Sequence, residues 1–323
     1  MKALQVVSRG KAQFVDAPKP QLQPGYVLVR PHLVALCGSD NRMLNYCPPE
    51  EYPFPPGTTG HEVIAKVEAI DADHPSVTAG DLTLTIAPDH RAMAEFYLAP
   101  IENVLSLPAG KTLEELLMAQ QLGTVIYACK QLPSVIGKTV VVIGQASSGL
   151  WFDVMLKRLG AQQIVAIDSH QHRLELSKYY GATDSIQGTT ENQIEQLREI
   201  NDGELADIVV VAAGKEEAIN LGIELAKSDE GFILQFGVPH YPMTVNYSSM
   251  FSKCLFNKSI VAASREKGHT STIQAMELIS SGLLDVSPVL THRYPFEQVM
   301  EAYELQKTGV DGAVKILVDL AHA

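Results

Sequence analysis

The amino-acid sequence predicts a doubly wound parallel α/β sheet inserted into a β-rich domain. Three observations carry this expectation. Short strand-like runs broken by proline and glycine fill residues 1–130. From residue 131 onward, β-branched apolar runs alternate with helical segments. After about residue 264 only a short helix and strand tail remains, too small to stand alone, so it is expected to pack back on the first part. The expected limits are 1–130 with 264–323 for the outer domain and 131–263 for the inserted one.

In chain order, KALQVV, YVLVRPHLVAL, EVIAKVEAI and DLTLTIA read as strands, and the proline-rich stretch Pro48–Gly57 reads as loop. Gly137-Lys138 precedes TVVVIG, a nearly continuous β-branched run that suits a parallel strand buried on both faces. There follow the helix LWFDVMLKRLG, the strand QIVAID, a helix from His172 to Tyr180 and a short strand near Ser185. A helix over Glu191–Ile200, the strand ADIVVVAAG, a helix over Glu216–Ala226 and the strands GFILQFG and SIVAAS complete the insertion. The tail reads as helix STIQAMELISSG, a short strand, helix FEQVMEAYELQKTG and strand AVKILVDL. Strands alternating with helices imply right-handed βαβ crossovers.

The 323 residues suffice for two domains, and the 46% hydrophobic and 19% charged content is ordinary for a globular chain. A net charge of -12 excludes general affinity for nucleic acid or anionic membrane, both of which repel an acidic surface. The N-terminal run alternates like a strand and lacks the apolar core of a signal peptide. No apolar stretch reaches the roughly 18 residues of a membrane span. The cysteines, Cys37, Cys47, Cys129 and Cys254, are few and widely spaced, so no disulfide framework is expected and a cytoplasmic location is.

The turn after TVVVI reads Gly144-Gln145-Ala146-Ser147-Ser148-Gly149, a GxAxxG form of the dinucleotide fingerprint. Gly144 permits the tight turn, Gly149 lets helix and strand approach, and Ala146 adds one methyl where backbone nears a pyrophosphate. The helix opening at Ser147 and Ser148 offers unpaired N–H groups to phosphate. Asp168 ends the next strand, where a carboxylate bonds both ribose hydroxyls of NAD and repels the 2′-phosphate of NADP. His170 and Arg173 lie just beyond and soften that preference.

Cys37-Gly38-Ser39-Asp40 and Gly60-His61-Glu62 supply cysteine, histidine and glutamate, all suitable zinc ligands. A zinc ion polarises an alcohol or carbonyl oxygen and so assists hydride transfer. Taken singly, each fragment reads as an ordinary buried cysteine or a satisfied histidine.

The pieces VALCGSD, TGHEVIAKVEAI, VVVIGQASSGL followed by VAID, ADIVVVAAG and THRYPFEQVMEAYELQKTG with AVKILV follow one another in order along nearly the whole chain. In this the chain resembles the medium-chain dehydrogenase/reductase family, in particular its zinc-containing alcohol and polyol dehydrogenase branch. The resemblance implies a GroES-like catalytic domain built from both chain ends around a Rossmann domain. It implies Cys37, His61 and Glu62 as catalytic zinc ligands, Ser39 as the hydroxyl that passes the substrate proton toward solvent, and Thr124 beside the nicotinamide. It further implies a small alcohol or ketone substrate and a homodimer or homotetramer paired near GFILQFG and SIVAAS.

The departures from the family are specific. Gln120 stands where cysteine, aspartate or glutamate is usual, Arg42 where a relay histidine often ends, and Ala65 where glycine follows GHE. No group of four close cysteines exists, so one catalytic zinc and no structural zinc are expected. Cys47, Cys129, Cys254, His90, His240 and His292 read as structural. Two other readings stand beside zinc-assisted alcohol oxidation with NAD: a zinc-free quinone or enone reductase of the same superfamily, and a non-catalytic nucleotide sensor.

Overall fold

A computed structural model of the chain describes residues 1–71, 76–188, 190–261 and 265–321. Two compact units result, Met1–Gly123 with Ser264–Ala323, and Thr124–Ala263.

The first unit begins with a hairpin of β1 (Lys2–Ser8) and β2 (Lys11–Asp16). Then follow β3 (Tyr26–Ala35), α1 (Gly38–Asn45), β4 (Glu62–Ile70), β5 (Leu82–Ile86), β6 (Tyr97–Pro100), β7 (Val104–Ser106) and α2 (Leu113–Cys129). Antiparallel pairing of β3 with β4 and of β4 with β5 buries Val27, Val29, Val34, Val63, Ala65 and Val67 in one core. Pro31 lacks an N–H for the ladder, and the β3–β4 register shifts between Pro31 and Leu33, a bulge that absorbs the missing donor.

The second unit holds β8 (Thr139–Ile143), α3 (Ser147–Arg158), β9 (Gln163–Ile167), α4 (Gln171–Tyr180), β10 (Asp184–Ile186), α5 (Thr190–Ile200), β11 (Ile208–Val211), α6 (Glu216–Leu225), β12 (Phe232–Gln235), α7 (Tyr247–Ser252) and β13 (Phe256–Ser259). Its six strands run in the order β10-β9-β8-β11-β12-β13, and every pair is parallel. This is the doubly wound order whose reversal beside the first strand opens a crevice for a dinucleotide. The runs VVVI and IVVV are buried on both faces, as helices on each side require. A carboxylate lies within this unit: Asp153, in α3, is fully buried, as are Gln145 and Ser177.

The tail adds α8 (Thr270–Ser280), β14 (Leu290–Pro295), α9 (Val299–Thr308) and β15 (Lys315–Asp319) to the first unit. β15 pairs antiparallel with β3, so the tail closes a seven-stranded sheet in the order β14-β15-β3-β4-β5-β7, with β6 also on β3.

The run SIVAAS, expected as the last inserted strand, is described only through Val261. β13 ends at Ser259, and 262–264 lie outside the described residues. Phe256 N–H donates to Gly231 O at 2.9 Å, pairing proceeds from there against Phe232–Gln235, and Ile260 N–H continues the ladder to Gln235 O at 3.0 Å. No helix among the described residues is long and apolar enough to cross a membrane.

Candidate functional site

In the second unit, β8 ends in the turn that opens α3. Gly144 sits at φ +93, a conformation a β-carbon disfavours. A β-carbon on Gly149 would lie 2.0 Å from Gly144 O, so only glycine lets the first turn of α3 cross the end of β8. Ala146 is the N-cap and makes no side-chain cap bond, which leaves the N–H groups of the first turn, at Ser147 and Ser148, without an intrahelical or cap partner. A cavity of about 330 Å³ adjoins this turn, lined among others by Gly144, Ala146, Asp168, His170, Arg173 and Lys215.

Asp168 is already tied down within this cavity. Its Oδ2 accepts Gln145 N–H at 2.7 Å and its Oδ1 accepts His170 N–H at 2.8 Å, with His170 Nδ1 at 3.0 Å. The carboxylate thus joins the glycine turn to the start of α4. Arg173 Nη1 stands 3.9 Å from Oδ2. Burial lowers the Arg173 pKa and Asp168 opposes the shift. The uncapped helix, the glycine crossing and the acid at the second strand's end fit a dinucleotide. Thr124 is half-buried in α2 and is not among the residues lining this cavity.

In the first unit, Ala35 of β3 pairs with Glu62 of β4. That register sets Cys37, just beyond β3, beside His61, just before β4. Gly60 at φ +90 makes the turn into His61. One ligand atom each from Cys37, His61 and Glu62 lies within 4.8 Å of the others. Thiol, imidazole and carboxylate form a donor set that suits zinc. Ser39 Oγ is buried nearby in sequence and makes no hydrogen bond.

Glu62 has a second claimant. Lys315 Nζ stands 2.9 Å from Oε1 and 2.7 Å from Oε2, and both side chains are shut from solvent. The ammonium competes with a metal for the same lone pairs. Sequence reading passed over Lys315, although a lone lysine inside the apolar run AVKILV was the available signal.

Asp40 is the other residue that received no role. It is fully buried; Oδ2 accepts Cys37 N–H at 2.9 Å and Oδ1 accepts Gly60 N–H at 3.1 Å. Its Oδ1 also meets His90 Nδ1 at 3.2 Å and His61 Nδ1 at 3.5 Å. Burial alone would raise the Asp40 pKa, but His61 and His90 hold it well below the usual carboxylate range. Conversely, burial pulls His61 down, yet Cys37 and Asp40 raise it well above its ordinary value. His90, expected to be merely structural, is therefore drawn into the site. It lies 50 positions from Asp40 in a run with no motif, so only folding makes the pair. Tyr303 and Thr59 are joined by a hydrogen bond between their hydroxyls, which fastens α9 to the segment just ahead of His61.

Gln120 is buried in α2, and Arg42 lies in the last turn of α1. His292 pairs at 3.6 Å with exposed Asp311, away from this cluster. Cys47 and Cys129 are buried, Cys254 is exposed, and all four cysteines are unbridged.

Comparison with known proteins adds the following. Residues 23–109 match the alcohol dehydrogenase GroES-like domain, and residues 149–281 match the zinc-binding dehydrogenase domain. The chain is 26% identical over 95% of its length to L-threonine 3-dehydrogenase of Bacillus subtilis strain 168, covering 95% of that protein. Alcohol dehydrogenase TADH from Thermus sp. ATN1 superimposes with a TM-score of 0.79 at 25% identity, covering 99% of both chains. A short chain alcohol dehydrogenase from Escherichia coli CFT073, complexed with NADH, shares the fold with a TM-score of 0.83 at 19% identity and 99% coverage of both chains.

Proposed function

Because the chain belongs to the zinc-containing medium-chain dehydrogenase/reductase family, we propose that it is an NAD-dependent oxidoreductase interconverting a secondary alcohol, polyol or sugar-like alcohol and its ketone, assisted by one zinc ion. The observation that carries this reading is the convergence of Cys37, His61 and Glu62 within 4.8 Å. When bound, the two groups would supply polarisation of the substrate oxygen and a hydride acceptor. Cys37 and His61 would hold the metal, with Glu62 shared between it and Lys315. The Ser39 hydroxyl, free of other partners, would take the substrate's hydroxyl proton. Arg42 is too basic to end that relay as a histidine would. The open first turn of α3, at Ala146, Ser147 and Ser148, would receive the pyrophosphate, and Gly144 and Gly149 keep it accessible. Asp168 would receive the ribose, which favours NAD over NADP, and Arg173 tempers that preference. Thr124 would stand beside the nicotinamide.

The test is elemental analysis of protein purified without chelator, with NAD reduction measured across secondary alcohols, polyols and threonine. About one zinc per chain and NADH production from members of the panel are expected. Absence of zinc, with none taken up on incubation and turnover confined to quinones or enones, would replace this reading with the zinc-free reductase. Nucleotide binding without turnover of either class would replace it with the sensor.

We also propose self-association through β13. This edge strand is exposed along its length, Phe256 is 61% exposed, and Tyr247 and Phe251 of α7 are exposed beside it in sequence. A bare edge with apolar side chains invites a second copy. Light scattering should return a dimer or tetramer that Phe256→Lys weakens. A monomeric wild-type chain at micromolar concentration overturns the proposal.

A further inference from the structure

We propose that His90 is a positioning residue for the metal ligand His61, acting through the Asp40 carboxylate. The inference rests on the zinc reading above and adds a residue to it. Nothing in the local sequence around His90 marks it for this part; its place in the fold does.

Asp40 is the hub. One of its oxygens holds the backbone N–H of Cys37, and the other holds the backbone N–H of Gly60. These are the anchor points of the two strand ends that present Cys37 and His61. The Gly60-bound oxygen lies 3.5 Å from His61 Nδ1, while His61 Nε2 faces Glu62 at 4.0 Å. The ring is therefore oriented with Nε2 toward the candidate metal position and Nδ1 toward Asp40. A metal-bound histidine almost always directs its second ring N–H at a carboxylate, a backbone carbonyl or a water, which fixes its tautomer and tilt. Asp40 is the acceptor that faces His61 Nδ1, at a separation just beyond a formed hydrogen bond.

His90 supports that carboxylate from the remaining side. Its Nδ1 approaches the same Asp40 oxygen at 3.2 Å. The ionised carboxylate can only accept, so Nδ1 carries the hydrogen and donates. The His90 ring also lies against the His61 ring, with centroids 4.1 Å apart and planes inclined by 48°. One side chain thus braces both the hub and the ligand it steers.

The backbone repeats the arrangement. Ala87 N–H donates to His61 O at 3.2 Å, His90 N–H donates to Ala87 O at 2.9 Å, and Ala92 N–H donates to Gly60 O at 3.3 Å. The segment 87–92 is wrapped on Gly60-His61, and His90 is its inward-reaching side chain. His90 adopts φ +53, in the left-handed region that non-glycine residues seldom occupy and that Asn, Asp and His enter more readily than most. The surrounding bonds hold it there, and the conformation is what aims the ring at Asp40.

Asp40, His61 and His90 also form a compact group of their own. An ion ligated by His90 Nδ1 would need the lone pair in place of the hydrogen that this nitrogen donates, so the His90–Asp40 bond would be lost. Support of the ligand is the arrangement that keeps every one of these bonds.

Two substitutions separate positioning from bulk structure, and both tolerate φ +53. His90→Gly removes the ring. His90→Asn keeps an amide nitrogen close to where Nδ1 stands and can still donate to Asp40. For wild type and both variants, zinc affinity is measured by competition with a chromophoric chelator. The visible spectrum of the cobalt(II)-loaded protein and the thermal midpoint of the metal-free protein are recorded alongside. His90→Gly is expected to bind zinc about 10–100-fold more weakly and to shift the cobalt bands. His90→Asn is expected to recover most of the affinity and the wild-type spectrum. Unchanged zinc affinity and cobalt bands in His90→Gly would overturn the proposal, as would a His90→Asn variant no better than His90→Gly. If the wild-type chain binds neither metal, the zinc reading itself falls and this inference with it, an outcome distinct from the other two.

Discussion

Replacing Lys315 with methionine is expected to destabilise the chain by about 3–5 kcal/mol, the cost of leaving a buried carboxylate without its counter-charge. The partner is Glu62, and the two side chains retain 1% and 0% of their exposure. Lys315 opens β15 and Glu62 opens β4, strands that flank β3 in one sheet, so neither can swing out to water without unpairing a strand. Methionine keeps the volume of the lysine stem and removes only the ammonium, which isolates the charge. Substituting both, Lys315→Met with Glu62→Gln, removes the orphaned charge and should recover most of the loss. Urea unfolding of wild type, both singles and the double variant measures this. A loss below about 1 kcal/mol in Lys315→Met would mean that Glu62 finds solvent or another cation, and the buried-pair account would fail. The same variant tests the competition for Glu62. With the ammonium gone, added zinc should stabilise Lys315→Met more than it stabilises wild type.

Replacing Asp153 with leucine should act in the opposite direction and raise stability by about 1–3 kcal/mol, the usual penalty of a buried polar group without a partner. Asp153 lies on the buried face of α3 among Leu150, Trp151, Val154 and Leu156. Neither carboxylate oxygen makes a hydrogen bond, and Gln145 Oε1 is also without one. Burial pushes the Asp153 carboxyl well above the usual carboxylate range, against a weaker opposing pull from the Gln145 side chain. Leucine has the same branching and no charge. The sign of the pH dependence follows from the raised pKa. In the unfolded chain the carboxyl ionises from about pH 4 upward, while in the folded chain it stays protonated to higher pH. Its contribution is fully present below the unfolded value and is lost as pH rises toward the folded one. The advantage of Asp153→Leu over wild type should therefore be small at pH 4 and grow toward pH 8, reaching several degrees in thermal midpoint. A midpoint that falls at both pH values would show that the carboxyl has a partner that holds it in place.

The sequence by itself determined the doubly wound sheet and the glycine turn, and it marked Cys37, His61 and Glu62 as the candidate donor set. Each of these is written in local chemistry. Runs such as TVVVI and IVVV have the composition of strands buried on both faces, GxAxxG states its own backbone requirement, and Cys37 and His61-Glu62 sit in short readable motifs. Only the tertiary structure decided what surrounds the donors. Lys315 meets Glu62 across 253 positions, His90 meets Asp40 across 50, and Tyr303 meets Thr59 across 244. These partners are set by which strand ends lie side by side and which turn folds over them. The residue types alone do not encode them, because a lysine, a histidine or a tyrosine can satisfy its polar atoms in water just as well. Burial removes that option, and the charge or hydrogen bond must then be met by whatever the fold has placed opposite.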